Sequence, residues 1–225
     1  MTPRSLPPVF EDRLPGEAAM AGDREALTRA ERDKDVILRL YTWDGAWVSL
    51  GRFQSPDRDL VSGSDVPWVV RPTGGRAVLH GHDLTVAVAA PLGKLDARSR
   101  GLRVAYRAIV APLVEGLREV GVPAALGEDT PFGKRFGPKS ADCFAHVSAN
   151  DAVDARTGLK VCGCALRLTE SAVLLQASIP LGPPLVDPRT VFAAPAAFST
   201  VTLDPVATRK AIAAALVRRF AESPQ

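Results

Sequence analysis

The segment Arg71-Pro-Thr-Gly-Gly-Arg-Ala-Val-Leu-His-Gly81 places two glycines between two arginines, and the residues that follow, Asp83-Leu-Thr-Val-Ala-Val-Ala-Ala90, are almost all apolar. The glycines can adopt backbone conformations that other residues avoid, and they let a ligand come close to the main chain. The arginines carry forked donors that suit a carboxylate or a phosphate. Taken alone, a glycine pair also fits an ordinary surface turn. Followed by an apolar run, it predicts a binding loop that leads into a strand.

Hydrophobic periodicity predicts the elements on either side of this loop. Helices are predicted at 16–32, 102–120 and 205–220, the second kinked at Pro112 and the third capped by Asp204. Strands are predicted at 36–42, 46–52, 68–71, 84–90, 144–154, 160–168 and 172–180. Because strands and helices do not alternate regularly, this order predicts an α+β fold with a mixed, mostly antiparallel β-sheet flanked by helices.

Two connections carry local signals of their own. Asp44-Gly45 is a hairpin dipeptide, so the strands at 36–42 and 46–52 are predicted to pair with each other. Residues 127–141 contain Gly, Pro and charged residues without periodicity, which predicts a long loop directly before Cys143. We therefore expect this thiol to lie where a substrate can reach it.

Composition limits the class of protein. The chain has 225 residues, of which 46% are hydrophobic, and this length fits a single domain over residues 1–225. Three cysteines are too few for a disulfide framework and favour a reducing, cytoplasmic compartment. The apolar runs are too short to span a bilayer, and the proline-rich N-terminus does not resemble a signal peptide. A net charge of +3 from dispersed basic residues argues against nucleic acid as a partner.

Five further segments make the pattern specific. They are Leu38-Arg-Leu-Tyr-Thr-Trp43, Val48-Ser-Leu-Gly-Arg-Phe-Gln54, Asp142-Cys-Phe144, Lys160-Val-Cys-Gly-Cys-Ala165 and Val173-Leu-Leu-Gln176. We call residues 71–77 the glycine loop. Together with it, these segments resemble the catalytic domain of the lipoate-protein ligase and octanoyltransferase family, related to biotin protein ligases, over about residues 16–181. Arg76 after the glycines and the Cys-Phe pair are similar to the cysteine-dependent octanoyltransferases of the LipM and LipL type. The resemblance implies the mixed sheet covered by helices that this family has.

The resemblance also implies roles for individual side chains. Cys143 is expected to be the nucleophile that forms an acyl thioester, and Lys160 is expected to contact the acyl group and stabilise the oxyanion. From the residues alone, an inert thiol and a solvated strand-edge lysine remain the alternatives. Substrate binding is expected of Arg71, Thr73, Gly74, Gly75, Arg76, His80 and Gly163.

Lys160, Cys162 and Cys164 alternate along a predicted strand, so their side chains are expected on one face. Free cysteines in such a strand commonly behave as small buried apolar residues. With Cys143 and the three histidines, His80, His82 and His146, they offer ligands that suit zinc. No Cys-x-x-Cys pair is present, however, so no metal site is expected.

The resemblance implies an octanoyltransferase of lipoate assembly. Octanoyl is expected to pass from acyl carrier protein to Cys143 and then to a lysine of a lipoyl domain or of glycine cleavage H protein, without a cofactor. An ATP-dependent lipoate ligase, in which Arg71, Arg76 and Lys160 hold the acyl adenylate, would need ATP and Mg. A non-catalytic acyl- or lipoyl-binding protein is the third alternative, because Ala177 follows Gln176 where the family usually continues with His-Gly-Ser. The ligases' accessory domain is expected to be dispensable or supplied by a second polypeptide.

Overall fold

The computed structural model describes residues 7–95, 102–133, 140–196 and 202–221. Within these ranges the helices are α1 (Gly16–Arg32), α2 (Pro56–Asp59), α3 (Leu102–Glu119) and α4 (Pro205–Ala221). The strands are β1 (Val9–Leu14), β2 (Ile37–Trp43), β3 (Trp47–Leu50), β4 (Trp68–Val70), β5 (Val78–His80), β6 (Asp83–Pro91), β7 (Ala124–Leu126), β8 (Ala152–Asp154), β9 (Lys160–Leu168) and β10 (Ala172–Pro180). Among the described residues, no helix is both long enough and apolar enough to cross a membrane.

Seven of these strands form one sheet in the order β1-β2-β6-β10-β9-β8-β7. Strand β1 pairs with β2 in parallel, and the other neighbouring pairs of this sheet are antiparallel. Helices α3 and α4 pack on one face, and α1 packs on the other. The predicted mixed, mostly antiparallel sheet flanked by helices is confirmed.

Strand β6 lies between β2 and β10 in the interior of the sheet and is buried along its whole length. One of its faces joins the core beneath α3 and α4, to which Ile109 and Leu216 contribute. On the other face Ala87 and Ala89 pack in the core beneath α1. That face becomes polar towards the start of β6, where Asp83 and Thr85 are also buried. A polar end to an otherwise apolar sheet face is where a site can form.

The smaller sheet carries the glycine loop. Its strand order is β4-β3-β5, with β4 parallel and β5 antiparallel to β3. The loop connects β4 to β5 and is tied to the end of β3, because the Arg52 N–H donates to the Thr73 carbonyl at 3.0 Å. Gly51 lies directly against it, since a Cβ at Gly51 would come within 2.0 Å of the Gly75 carbonyl oxygen. The loop is therefore packed against the main chain of its own sheet.

The predicted hairpin at Asp44-Gly45 is wrong. Strands β2 and β3 follow one another, but β2 lies between β1 and β6 in the larger sheet, and β3 lies between β4 and β5 in the smaller one. Residues 37–41 of β2 are all buried, which pairing with a single neighbour would not achieve. Burial between two partners thus overrides the local turn signal.

The predicted strand at 144–154 is mostly wrong as well. Only β8 is extended there, because the carboxylate of Asp151 accepts the Ser148 N–H at 2.8 Å and closes a turn in front of it. Of the predicted loop at 127–141, residues 134–139 lie outside the described residues, and Gly127–Asp129 forms a 3-10 turn. The periodicity does not anticipate β1, β5 and β7, because three-residue strands and an exposed edge strand carry little of it.

The three long helices are confirmed. Pro112 lies inside α3, and the carboxylate of Asp204 accepts the Ala207 N–H at 2.6 Å at the start of α4. This hydrogen bond is the expected cap, with Pro205 at the first helical position.

Alanine at Gly51 tests how firmly the glycine loop is held. The new methyl group would meet the Gly75 carbonyl, so the loop must shift, and we expect the free energy of unfolding to fall by about 1–3 kcal/mol. Gly182→Ala is the control, because nothing lies within 4 Å of its added Cβ, and a change of at most about 0.5 kcal/mol is expected. Urea denaturation measures both, and equal stabilities would show that this contact does not hold the loop.

Candidate functional site

Cys143 begins a 3-10 turn, Cys143–Ala145, directly beside the glycine loop. Its backbone N–H donates to the Ala77 carbonyl at 2.8 Å, and Ala77 forms a parallel bridge with Asp142. The carboxylate of Asp142 caps the turn by accepting the Phe144 N–H at 2.9 Å. The thiol is free and only partly buried. As expected, it lies where a substrate can reach it.

Lys160 directs its ammonium at this turn. Nζ lies 3.1 Å from Cys143 Sγ, 3.0 Å from the Cys143 carbonyl oxygen and 3.4 Å from the His146 carbonyl oxygen. It also forms an ion pair of 2.9 Å with Asp151, and both charged side chains are almost completely buried. A buried ammonium needs such partners. The alternative of a solvated lysine at a strand edge is therefore wrong.

Asp151 is a site residue that the sequence analysis misses. Besides the ion pair with Lys160, its carboxylate accepts the Ser148 hydroxyl at 2.9 Å and, at 3.4 Å, the Cys164 N–H. Burial alone would lower the pKa of Lys160, but the charges of Cys143 and Asp151 outweigh it and raise that pKa above its ordinary value. Lys160 therefore stays protonated at neutral pH. The sequence feature that could have indicated this role is the acidic residue directly before the apolar pair Ala152-Val153.

The expected common face is wrong for Lys160, although Cys162 and Cys164 do lie on one face with their sulfur atoms 3.6 Å apart. In the β8–β9 pair Ala152 lies opposite Cys162, whereas Val153 lies opposite Lys160, so β9 carries one extra residue between the two contacts. Such a bulge interrupts the alternation of side chains along a strand. Cys162 consequently packs in the core beneath α3 and α4, and Lys160 is turned to the other face, where the thiol of Cys143 lies.

Gly163 makes room for the lysine on that face. A Cβ at Gly163 would lie 3.1 Å from Lys160 Cε and 3.4 Å from the ring of Phe144. The ammonium is 5.5 Å from the centroid of the same ring, within range of a cation–π attraction. A larger residue at 163 would crowd both contacts.

A pocket that is open to solvent lies beside the thiol. Met20 of α1, Trp43 of β2, Val78 of β5 and Ala165 of β9 line it together with Cys143. Most of its exposed lining is apolar, and the polar side chains that reach it include Arg71 of the glycine loop and Gln176 and Ser178 of β10. Apolar walls with a few convergent polar groups are typical of a site for a small organic group.

Arg71 holds the glycine loop from inside. Its guanidinium donates to the Ser49 carbonyl at 2.8 Å and hydroxyl at 3.2 Å, to the Thr73 hydroxyl at 3.2 Å, and to the carbonyls of Gly74 and Arg76, both at 2.6 Å. These contacts occupy all five N–H groups of a guanidinium. Burial lowers the pKa of Arg71. In this structure its forked donors thus fix the loop, although the side chain also lines the pocket.

Thr73 lies behind the pocket and is fully buried. Its hydroxyl donates to Gln176 Oε1 at 2.7 Å, and Gln176 Nε2 donates to Asp23 of α1 at 2.5 Å. Asp23 in turn accepts from the Tyr41 hydroxyl at 2.9 Å and forms a buried ion pair with Arg39. This network connects the glycine loop to helix α1 through Gln176 of β10.

His80 belongs to a second buried network. Its ring stacks on Trp43 with centroids 4.1 Å apart, and its two nitrogens lie 2.8 Å from Asp83 Oδ2 and 2.8 Å from Ser49 Oγ. Burial would raise the pKa of Asp83, but His80 and a hydrogen bond from Ser178 help to bring it down to about 2. His80 is thereby held rigidly in the pocket wall, next to the hydroxyl that Arg71 also contacts.

The remaining cysteines are less suited to nucleophilic attack. Cys162 Sγ and Cys164 Sγ are 3.6 Å apart, and Cys164 also lines the pocket. The hydrogen bond between them, together with burial, raises the pKa of Cys164 well above its ordinary value. In the described part of the chain, no group of three or more His, Cys, Asp or Glu side chains is placed to hold a metal ion.

The structure brings most of the expected site residues together. Cys143, Lys160, Gly163, Arg71 and His80 meet at one pocket. The remaining expected positions are in the glycine loop and differ in burial. Thr73 is buried behind the pocket, Gly74 is half-buried, and Gly75 and Arg76 are exposed. Gly75 has a φ of 85°, which favours glycine.

Residues 15–208 match the family model of the lipoyl protein ligase A/B catalytic domain. Octanoyltransferase LipM of Exiguobacterium sp. is 35% identical over 192 residues, which are 81% of this chain and 66% of that protein. The chain thus spans slightly less than two thirds of this relative's length.

Two solved structures share the fold. The bipartite lipoate protein ligase of Thermoplasma acidophilum has a TM-score of 0.67 at 21% identity, covering 98% of this chain and 84% of that chain. A lipoate-protein ligase A bound with ATP has a TM-score of 0.63 at 19% identity, covering 98% and 85%.

The family match covers most of the chain and includes the glycine loop, Cys143 and Lys160. It agrees with the resemblance carried by the sequence motifs, which is confirmed. The chain belongs to the lipoyl protein ligase A/B catalytic domain family.

Proposed function

We propose that the chain is an octanoyltransferase of lipoate assembly that carries the acyl group as a thioester on Cys143. The observation that carries this proposal is the 3.1 Å contact between Cys143 Sγ and the Lys160 ammonium, next to a largely apolar pocket. A thiol that is partly exposed and next to a cation is typical of a reactive cysteine. The Exiguobacterium relative is an octanoyltransferase, which supports the same class of reaction.

The reaction has two steps. In the first, the Cys143 sulfur attacks the carbonyl carbon of the octanoyl donor; the new C–S bond forms, the bond to the donor's sulfur breaks, and the thiolate that leaves takes up, through solvent, the proton that Cys143 lost. In the second, the amine of an acceptor lysine attacks the enzyme thioester, an amide forms, the bond to the Cys143 sulfur breaks, and the proton lost by the amine returns to that sulfur through solvent. Lys160 stays charged and stabilises the oxyanion in both steps. Neither step consumes ATP or requires a metal ion.

We assign the donor to acyl carrier protein and the acceptor to a lysine of a lipoyl domain or of glycine cleavage H protein. The Thermoplasma ligase is bipartite and has its own E2 lipoyl domain. This supports a lipoyl domain as the acceptor and a second polypeptide as an additional component. Three free cysteines fit a cytoplasmic location, where thiols stay reduced.

An ATP-dependent ligase is the second candidate, because a ligase with this fold binds ATP. In this chain the donors of Arg71 are occupied by the loop, whereas an adenylate would need them free. The non-catalytic alternative rests on Ala177, which stands where the family usually has a histidine. Ala177 packs in the core and also lines the pocket between Gln176 and Ser178, so a binding protein remains the third candidate.

Removing the thiol separates the two enzymatic candidates. We expect Cys143→Ala to abolish transfer from octanoyl-acyl carrier protein to a lipoyl domain without ATP, because no other thiol in the described pocket is paired with an ammonium. The modified lipoyl domain is measured by intact mass, with Cys162→Ala as a control that should remain active. A lipoyl domain modified only when octanoate and Mg-ATP are supplied, and equally by Cys143→Ala, would favour the ligase; no modification under either condition would favour the binding protein.

Removing the ammonium tests its role in chemistry and stability together. Lys160→Met leaves Asp151 charged and unpaired in the interior, so we expect the free energy of unfolding to fall by about 3–5 kcal/mol. Adding Asp151→Asn should recover much of this loss, yet both proteins should lack acyl transfer because the ammonium is gone. Urea denaturation and the transfer assay measure the two effects.

The control is Arg156→Met, which breaks an ion pair of 3.5 Å with Asp154 in which the arginine is exposed. A change below about 1 kcal/mol is expected for such a surface pair. Transfer at the wild-type rate by the Lys160→Met, Asp151→Asn protein would contradict a role for Lys160 in the reaction.

A further inference from the structure

A second cleft lies beside the segment that leads to Cys143 and is not used by the chemistry described above. It is open to solvent, and its lining is more polar than that of the first pocket. Arg76 of the glycine loop lines it, together with Ser140 and Ala141, which lead directly to Cys143, and with Arg58 and Asp59 of α2. The cleft therefore borders both the loop and the segment that holds the nucleophile.

Arg76 brings an uncompensated charge to this cleft. Its side chain is exposed, and within the described ranges its guanidinium makes no hydrogen bond or ion pair. Arg58 differs, because its guanidinium lies 2.8 Å from Asp59 and 2.8 Å from the Phe53 carbonyl oxygen. Since Arg58 and Asp59 cancel, Arg76 leaves the cleft positive. An arginine with five unused N–H groups is suited to an anion with several acceptor oxygens.

The position of Arg76 relative to the thiol is fixed by the backbone. Ala77 bridges Asp142 in parallel, so Arg76 lies opposite Ala141, two residues before Cys143. With strands roughly 4.8 Å apart and a rise of roughly 3.3 Å per residue, the Cα atoms of Arg76 and Cys143 are about 8 Å apart. Burial and the charge of Arg76 lower the pKa of His146, which follows the Cys143 turn.

A pantetheine thioester carries its phosphate at the end of a long, flexible polar arm, so a phosphate bound by the Arg76 side chain is within reach of a thioester at Cys143. We propose that the cleft binds this arm and that Arg76 binds its phosphate while the thioester lies at Cys143. The inference rests on the proposed octanoyl transfer and adds to it a recognition site for the donor. An acyl adenylate carries its phosphate directly on the acyl group and would not extend from the thiol into this cleft.

Two small donors test the contact, because octanoyl-pantetheine and octanoyl-4′-phosphopantetheine differ only in the phosphate. The rate of Cys143 acylation by each is followed by intact mass in the wild type, in Arg76→Gln and in Arg58→Gln. We expect the wild type to prefer the phosphorylated donor by about 10- to 100-fold in kcat/KM, as for a charge-assisted hydrogen bond. In Arg76→Gln this ratio should fall to near one, chiefly through KM. Arg58→Gln should keep the wild-type ratio, because its guanidinium is already occupied.

Each other result has a defined meaning. A wild-type ratio near one, or an unchanged ratio in Arg76→Gln, would overturn the phosphate contact while acylation itself upholds octanoyl transfer. An equal loss of the ratio in Arg58→Gln would assign the preference to the general charge of the cleft and overturn the specific role of Arg76. Failure of both donors to acylate the wild type, with octanoyl-acyl carrier protein also inert, would overturn the transfer proposal and this inference with it. Urea denaturation of Arg76→Gln checks that the loop, which Arg71 holds through the Arg76 carbonyl, remains folded.

Discussion

The ammonium of Lys160 is buried, and an ammonium in that position is stable only when acceptors surround it. Asp151, the carbonyls of Cys143 and His146, and the Cys143 sulfur together provide them. Because all four acceptors come from the irregular segment in front of β8, the contacts that satisfy the lysine also fix the path of that segment. The contacts that stabilise the buried ammonium therefore also position Cys143. The bulge in β9 turns the Lys160 side chain towards Cys143.

The two arginines of the glycine loop have different roles. Arg71 is buried and donates only to its own loop and to β3, so it holds the shape of the loop. Arg76, five residues later, is exposed and has no partner among the described residues. An internal cation that organises the backbone leaves the external one available for a ligand. The cysteines differ in the same way. Cys162 and Cys164 contact each other, whereas the thiol of Cys143 is left for a substrate.

The sequence predicts the sheet class, the three long helices and the residues that meet at the pocket, because these depend on long periodic runs and on motifs with unusual composition. It fails where tertiary contacts decide. Asp44-Gly45 does turn the chain, but the burial of β2 between two neighbours determines its pairing. The regular alternation of side chains between Lys160 and Cys162 is interrupted by a bulge, which no local sequence pattern predicts. Asp151 is missed because its importance arises only when β8 and β9 pair and bring it to Lys160.

If the thiol in contact with Lys160 carries the acyl group, that group can be located on it directly. The wild-type protein is incubated with octanoyl-acyl carrier protein and digested, and the octanoyl group is located by peptide mass spectrometry. We expect a hydroxylamine-labile octanoyl group on the peptide that contains Cys143 and none on the peptide with Cys162 and Cys164. Cys164 serves as an internal comparison, because it lines the same pocket but its pKa is raised well above the ordinary value. An octanoyl group on Cys164, or no thioester at all in a protein that still modifies a lipoyl domain, would contradict the claim.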